Sequence, residues 1–286
     1  MRDNRGRSAL VVEGGGMRGV FSAGVLKAFG EAEFDPFDLY IGVSAGACNL
    51  ASHLAGQYDR NLHIILKYSS TRRFINPWRF IAGGHFIDLD WLWEITIKEC
   101  RLDLDRIFSH LEHNRKEFII TATSLESGEP VYLAPNSATL EHYIKISSAL
   151  PVFYRDTLFT GFEYALDGGI ADPIPVIEAY RRGADRITVL RSRTSGYVKD
   201  RDFATPLYPF LFRKHPALLK KMEQRHRLYM ESVNFINNPP AGVEVFEAAP
   251  PEGLKVSRIT RNRELLLSGY KAGISAGGRL IREYYS

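Results

Sequence analysis

The chain has 286 residues, 45% apolar and 24% charged, with 37 basic against 33 acidic side chains for a net charge of +4. These ordinary globular values set aside disordered, collagen-like and disulfide-scaffold classes, and the two cysteines, Cys48 and Cys100, read as reduced thiols of a cytoplasmic protein. The apolar run at 9–12 is too short for a signal peptide and no window approaches the roughly 18 apolar residues of a membrane span, while the absence of zinc spacing, a dense basic tract or an RNA-binding motif argues against nucleic acid as a partner.

In chain order, residues 9–13 form a short buried strand closed by glycines, and residues 17–31 read as a helix. A second strand over 39–42 leads into a helix over 45–55 whose small residues allow close packing on a sheet. Strands follow at 117–123 (EFIITAT) and 131–133, then a helix over 139–148 with Thr139 as its N-cap. Residues 164–167 form another strand, 174–182 a helix with Pro173 and Pro175 at its start, and 186–190 a strand again. This alternation predicts an α/β fold with a largely parallel sheet. Beyond residue 191 the chain turns basic and aromatic (197–216). It then gives a basic helix (217–237), a strand (243–246) and a final helix (262–284). The expected organisation is a catalytic module over 8–192 with an α+β C-terminal extension, 193–286, packed on it; whether that extension is a separate domain stays open.

Three glycine clusters carry the chemistry. The first, Gly42-Val43-Ser44-Ala45-Gly46, lies between a strand and a helix. A serine at such an elbow is held in a strained backbone conformation with its hydroxyl exposed, and the following helix N-terminus favours negative charge nearby. Ser44 is therefore a candidate nucleophile. The second, Gly14-Gly15-Gly16-Met17-Arg18-Gly19, sits at the preceding strand–helix junction. Its amides suit an oxyanion hole, with Gly15, Gly16 and Met17 as donors and Arg18 adding charge or bracing the loop. The spacing also fits a dinucleotide fingerprint, but the next strand ends in Gly42-Val43-Ser44 rather than in the acidic residue that would hold a ribose. The third, Asp167-Gly168-Gly169, ends a strand and leaves a carboxylate exposed in the crevice. Each cluster alone also fits an ordinary turn.

None of the eight histidines sits in a glycine-rich turn or beside another catalytic-looking residue. Asp167 followed by His215 or His226 satisfies the order of an α/β-hydrolase triad, yet only two strands precede Ser44, too few for that fold. Two aromatic and basic segments are candidate acyl-chain entrances and membrane contacts. One holds Phe74, Trp78, Phe80, Phe86, Trp91 and Trp93; the other holds Tyr197, Phe203, Tyr208, Phe210 and Phe212. Packing under a loop accounts for them equally.

Taken together, the glycine loop, the Gly-x-Ser-x-Gly elbow and the later Asp-Gly-Gly resemble the patatin-like phospholipase family, as does the Ile146-Ser147-Ser148-Ala149-Leu150-Pro151 stretch before Asp167. The match covers about residues 8–192, and the C-terminal part looks like that of bacterial cytosolic members. The resemblance implies a three-layer sandwich with a mostly parallel central sheet flanked by helices. It implies a Ser44–Asp167 dyad without histidine, an oxyanion hole at Gly14–Gly19, and no metal or other cofactor. The expected reaction is hydrolysis of a carboxylic ester of a lipid (phospholipid, lysophospholipid or acylglycerol) or a small ester through an acyl-enzyme, with peripheral contact with a membrane surface. The alternatives are a non-catalytic lipid-binding relative and a triad esterase.

Overall fold

The computed structural model describes residues 6–200 and 208–286. In chain order it begins with β1 (Arg7–Val12), α1 (Val20–Glu31), β2 (Leu39–Val43) and α2 (Ala45–Leu54). Four more helices follow: α3 (Arg60–Ile64), α4 (Pro77–Ile81), α5 (Leu89–Glu99) and α6 (Leu104–His113). Then come β3 (Glu117–Ser124), β4 (Pro130–Leu133), α7 (Leu140–Ser148), β5 (Leu158–Phe159), β6 (Tyr164–Asp167), α8 (Val176–Arg181) and β7 (Ala184–Leu190). The chain closes with α9 (Tyr208–Leu211), α10 (Pro216–Asn237), β8 (Glu244–Ala248) and α11 (Arg263–Tyr284).

The strands form one mixed sheet in the order β5-β6-β3-β2-β1-β7-β8, with β4 also paired to β3. The β1–β2, β2–β3, β1–β7 and β7–β8 pairings are parallel; those of β4, β5 and β6 are antiparallel. Both faces are covered, which is why β1 and β2 read as unbroken apolar runs. Leu10 and Val12 face the core made with α1, α2, α6, α7 and α11, and their neighbours Ala9 and Val11 face α8 and α10. The sandwich is thus helix, sheet, helix, and residues beyond 193 contribute a strand to the sheet and a helix to each face.

Several boundaries differ from the sequence reading, each for a local reason. The expected helix over 17–31 opens as a 3-10 turn, Gly16–Gly19, with Gly16 at φ +56°, and α1 starts only at Val20. The helix expected from 174 starts at Val176, with Pro175 at its N-cap. Thr139 makes no side-chain cap bond; the Asn136 carboxamide accepts the amides of Ala138 and Thr139 at 2.9 and 3.0 Å instead. The helices α4, α5 and α6, unread in the sequence, are capped by Asn76, Asp88 and Asp103.

Candidate active site

The site is assembled on β3. Thr121 pairs with Val43 of β2, and the adjacent Ala122 pairs with Asp167 of β6. Both residues also pair with β4, so β2 and β6 lie end to end along the opposite edge of β3. Because β2 is parallel to β3 and β6 antiparallel, their C-terminal ends meet, and the next residue after Val43 is Ser44. Residues far apart in sequence are thereby brought together: Ser44 and Asp167 line one cavity, and the Ser44 side chain lies near enough to the Asp167 carboxyl to favour its charged form.

Ser44 has φ +52° and ψ −121°, a conformation costly for any residue with a Cβ. Its amide is held by the Ser147 hydroxyl at 2.7 Å, and that hydroxyl donates in turn to the Thr121 carbonyl at 2.7 Å. Gly46 lets the elbow press against β1: a Cβ there would stand 2.2 Å from the Val12 carbonyl oxygen. Asp167 is 6% exposed. Its carboxylate accepts the Gly169 amide at 2.8 Å, and its own carbonyl accepts the Thr123 hydroxyl at 2.8 Å. Burial pushes the Asp167 carboxyl above its ordinary 3.8, outweighing Arg225, Arg258, the Gly169 amide and Ser44, which all favour the charged form.

The glycine loop, residues 14–19, lines the same cavity as Ser44 and Asp167. The expected Met17 donor is already committed, its amide lying 3.1 Å from the Arg258 carbonyl. The amides of Gly15, Gly16 and Ala45 have no protein acceptor among the described residues. Beneath the loop Glu13 is buried, its carboxylate accepting the Ser192 amide at 2.6 Å with Arg191 at 3.4 Å. Gly42, Val43, Gly46 and Gly168 stand behind the cavity wall rather than on it, whereas Ala45 and Gly169 line it.

The cavity has a volume of about 680 Å³. Phe74, Ile87, Leu92, Trp93, Ile144 and Phe153 form an apolar part of its wall. Of the two aromatic segments, Phe74 and Trp93 of the first and Tyr197 of the second thus reach the cavity. Trp78 is 78% exposed, and Tyr208 and Phe212 are buried against Leu166 and Ile170. Phe203 and the Phe210 side chain lie outside the described residues. Among the described residues no histidine lines the cavity, His215 and His226 included. Sequence reasoning missed Glu13, Arg191, Arg225 and Arg258, for which spacing offers no signal; Ser147 stood in the noted Ser/Ala stretch without an assigned role.

The sequence profile of the patatin-like phospholipases matches residues 10–180. The chain belongs to the patatin-like phospholipase family. As a member it is a hydrolase acting on lipid esters, and the matched span holds the elbow, the glycine loop and Asp167. Residues 215–286 match a domain family of unknown function, DUF6363. Among relatives, the uncharacterised Escherichia coli protein YjjU is 38% identical over 97% of this chain and 80% of its own length. The lysophospholipase NTE1 of Lodderomyces elongisporus is 29% identical over 85% of this chain, which spans only 17% of that protein. Solved structures similar to this patatin-like chain include Legionella pneumophila VipD, with TM-score 0.49 and 14% identity over 97% of this chain and 67% of its own. Human GIVD cytosolic phospholipase A2 gives 0.48 and 14% over 98% and 59%. Among the described residues no helix is long and apolar enough to cross a membrane.

Proposed function

We propose that the chain cleaves the carboxylic ester of a lipid through a Ser44–Asp167 dyad and an acyl-enzyme. The observation that carries this reading is Ser44, strained at an elbow, facing the same cavity as the buried Asp167 carboxylate, with unspent glycine amides on the rim. Ser44 Oγ attacks the ester carbonyl carbon while its proton passes to Asp167. The oxyanion takes bonds from Gly15, Gly16 and Ala45, donors worth roughly 3–4 kcal/mol each by mutational precedent. The ester C–O bond breaks, and the alcohol leaves with the proton held by Asp167. Water then attacks acyl-Ser44, gives a proton to Asp167, and the fatty acid departs as that proton returns to Ser44 Oγ. An ordinary carboxylate is a weak base at neutral pH, and burial strengthens Asp167 for the task. The apolar wall suits an acyl chain, and the cavity volume falls in the usual ligand range of about 300–1,000 Å³.

Hydrolysis of a p-nitrophenyl ester and of a lysophospholipid tests the reading. Ser44→Ala is expected to lower kcat/KM by at least about 10³-fold, Asp167→Asn by about 10²–10⁴-fold, and His215→Ala and His226→Ala are expected to leave it intact. Activity surviving in Ser44→Ala ends the proposal.

Peripheral membrane contact belongs to the same proposal. Trp78 and Ile81 of α4 are 78% and 72% exposed, beside the exposed Arg72 and Arg73. Wild-type protein is expected to float with anionic vesicles and Trp78→Ala to float less; equal flotation of the two removes α4 from the contact.

A further inference from the structure

Arg18, Arg193, Arg225 and Arg258 line the cavity together with Ser44 and Asp167. They come from separate stretches: the glycine loop, the segment after β7, helix α10 and the loop before α11. Guanidinium groups this close repel one another. Burial, then Arg225 and Arg18, hold Arg258 down at about 10, with Arg193 adding to the repulsion and Asp167 opposing it. Burial also lowers Arg18, where Arg193 acts against the pull of Glu13.

The donors of this cluster are largely unspent. Arg18 is 7% exposed, and its buried Nε meets no acceptor. Arg225 is 8% exposed and spends Nε on the Gly169 carbonyl at 2.8 Å. Arg193 stacks over the Tyr197 ring at 4.3 Å. None of the four has a carboxylate within ion-pair distance among the described residues. With Arg191 included, five guanidiniums face the carboxylates of Glu13, Asp167 and Glu247, an excess of two positive charges. Lys199 and Asp200, also on the wall, offset each other. Like charges packed this way cost the folded protein stability unless an anion joins them, and planar guanidinium forks match the oxygens of a phosphate.

We propose that Arg18, Arg193, Arg225 and Arg258 form a subsite for a phosphate monoester dianion carried on the alcohol side of the ester, which makes a monoacylglycerol phosphate the favoured substrate. The assignment rests on the serine-hydrolase reading above. It places the acyl chain against Phe74, Leu92 and Trp93, the ester at Ser44 and the headgroup among the arginines. Three of those arginines, 193, 225 and 258, come from the C-terminal region, which thereby completes the site. A phosphocholine headgroup would bring its own cation toward the cluster and is disfavoured.

The test uses the full chain and three esters: monoacylglycerol phosphate, the matching monoacyl phosphocholine and p-nitrophenyl butyrate. The phosphate monoester is expected to exceed the phosphocholine ester in kcat/KM by about tenfold or more. In Arg258→Gln and Arg225→Gln, the ratio of kcat/KM for the phosphate monoester to that for the p-nitrophenyl ester is expected to fall by about tenfold or more. Unchanged ratios overturn the headgroup assignment. A second arm follows thermal unfolding against inorganic phosphate. Phosphate is expected to raise the melting temperature of the wild type, and Arg258→Gln is expected to need about tenfold more phosphate for the same rise. Without phosphate, Arg258→Gln is expected to melt above the wild type, since repulsion is relieved; a lower melting temperature with no phosphate response marks the cluster as structural and overturns the subsite. Phosphate stabilisation with unchanged lipid ratios assigns the arginines to free phosphate and overturns the lipid headgroup. Loss of all ester hydrolysis would instead sink the hydrolase reading, while the phosphate titration still decides the anion site.

Discussion

The Ser44 amide donates a hydrogen bond of 2.7 Å to the Ser147 hydroxyl, which in turn donates one to the Thr121 carbonyl. One hydroxyl thus ties the strained elbow to the strand on which the site is built. Ser147→Ala leaves the part-buried Ser44 amide without its protein acceptor and removes one donor from the Thr121 carbonyl, a loss of about 1–3 kcal/mol in unfolding free energy. It also loosens Ser44 at φ +52°. The expected kinetic outcome is a fall in kcat larger than the change in KM, read on a p-nitrophenyl ester alongside denaturant unfolding. A variant with wild-type kcat would remove Ser147 from any positioning role.

Asp167 sets function against stability. Burial raises its carboxyl above 3.8, so the fold favours the protonated form. That contribution is fully present below the unfolded value and is lost as pH rises through the folded one. At neutral pH the charged form is the penalised one. Asp167→Asn is therefore expected to melt about 2–4 °C higher while losing activity. The proposed base must be ionised, so the acid limb of kcat/KM in the wild type is expected to have its midpoint above the ordinary aspartate value. A lower melting temperature for Asp167→Asn contradicts the sign.

Helices α1 and α11 touch backbone to backbone. A Cβ at Gly273 would stand 2.1 Å from the Phe21 carbonyl oxygen, and one at Gly24 would stand 2.1 Å from that of Tyr270. Gly273→Val pushes the helices apart and is expected to cost about 1–3 kcal/mol or more, measured by denaturant unfolding. The loop before α11 carries the Arg258 carbonyl that accepts the Met17 amide, so activity is expected to fall with stability.

His53 is buried, and desolvation pushes its imidazole down to about 4 from 6.5. The folded value lies below the unfolded one, so its contribution is present above pH 6.5 and is lost as pH falls toward 4. Asp172 acts in the opposite sense: burial raises it to about 6, and its contribution is lost as pH rises from 3.8 through that value. The two partly cancel in the wild type. Unfolding free energies at pH 7 and pH 4.5, compared with His53→Gln, separate them. The wild type is expected to lose roughly 2 kcal/mol more than the variant over that interval; equal losses would show that His53 is not buried neutral.

The motifs were legible because their chemistry is local. The glycines around 14–16, 42–46 and 168–169 mark strand ends by turn geometry alone, and β1, β2 and β3 follow from apolar runs that only a sheet covered on both faces accepts. The five-residue α4 escaped because it buries no residue that would mark a face, whereas α5 and α6 carry the helical spacings Leu89, Leu92, Trp93, Thr96 and Leu104, Ile107, Phe108, Leu111 behind aspartate N-caps, signals that the sequence reading passed over.

Residue types and turn chemistry along the chain thus named a hydroxyl, a carboxylate and a rim of amides. Their meeting depended on the register Val43–Thr121 and Asp167–Ala122, a property of strand pairing across the sheet. The arginines illustrate the same division more sharply. Arg18, Arg193, Arg225 and Arg258 are unremarkable among 37 basic residues, and no spacing relates them. Long-range packing of α10 and of the loop before α11 onto the glycine loop is what turns them into one cluster, because charge density is a property of space and not of the order of residues.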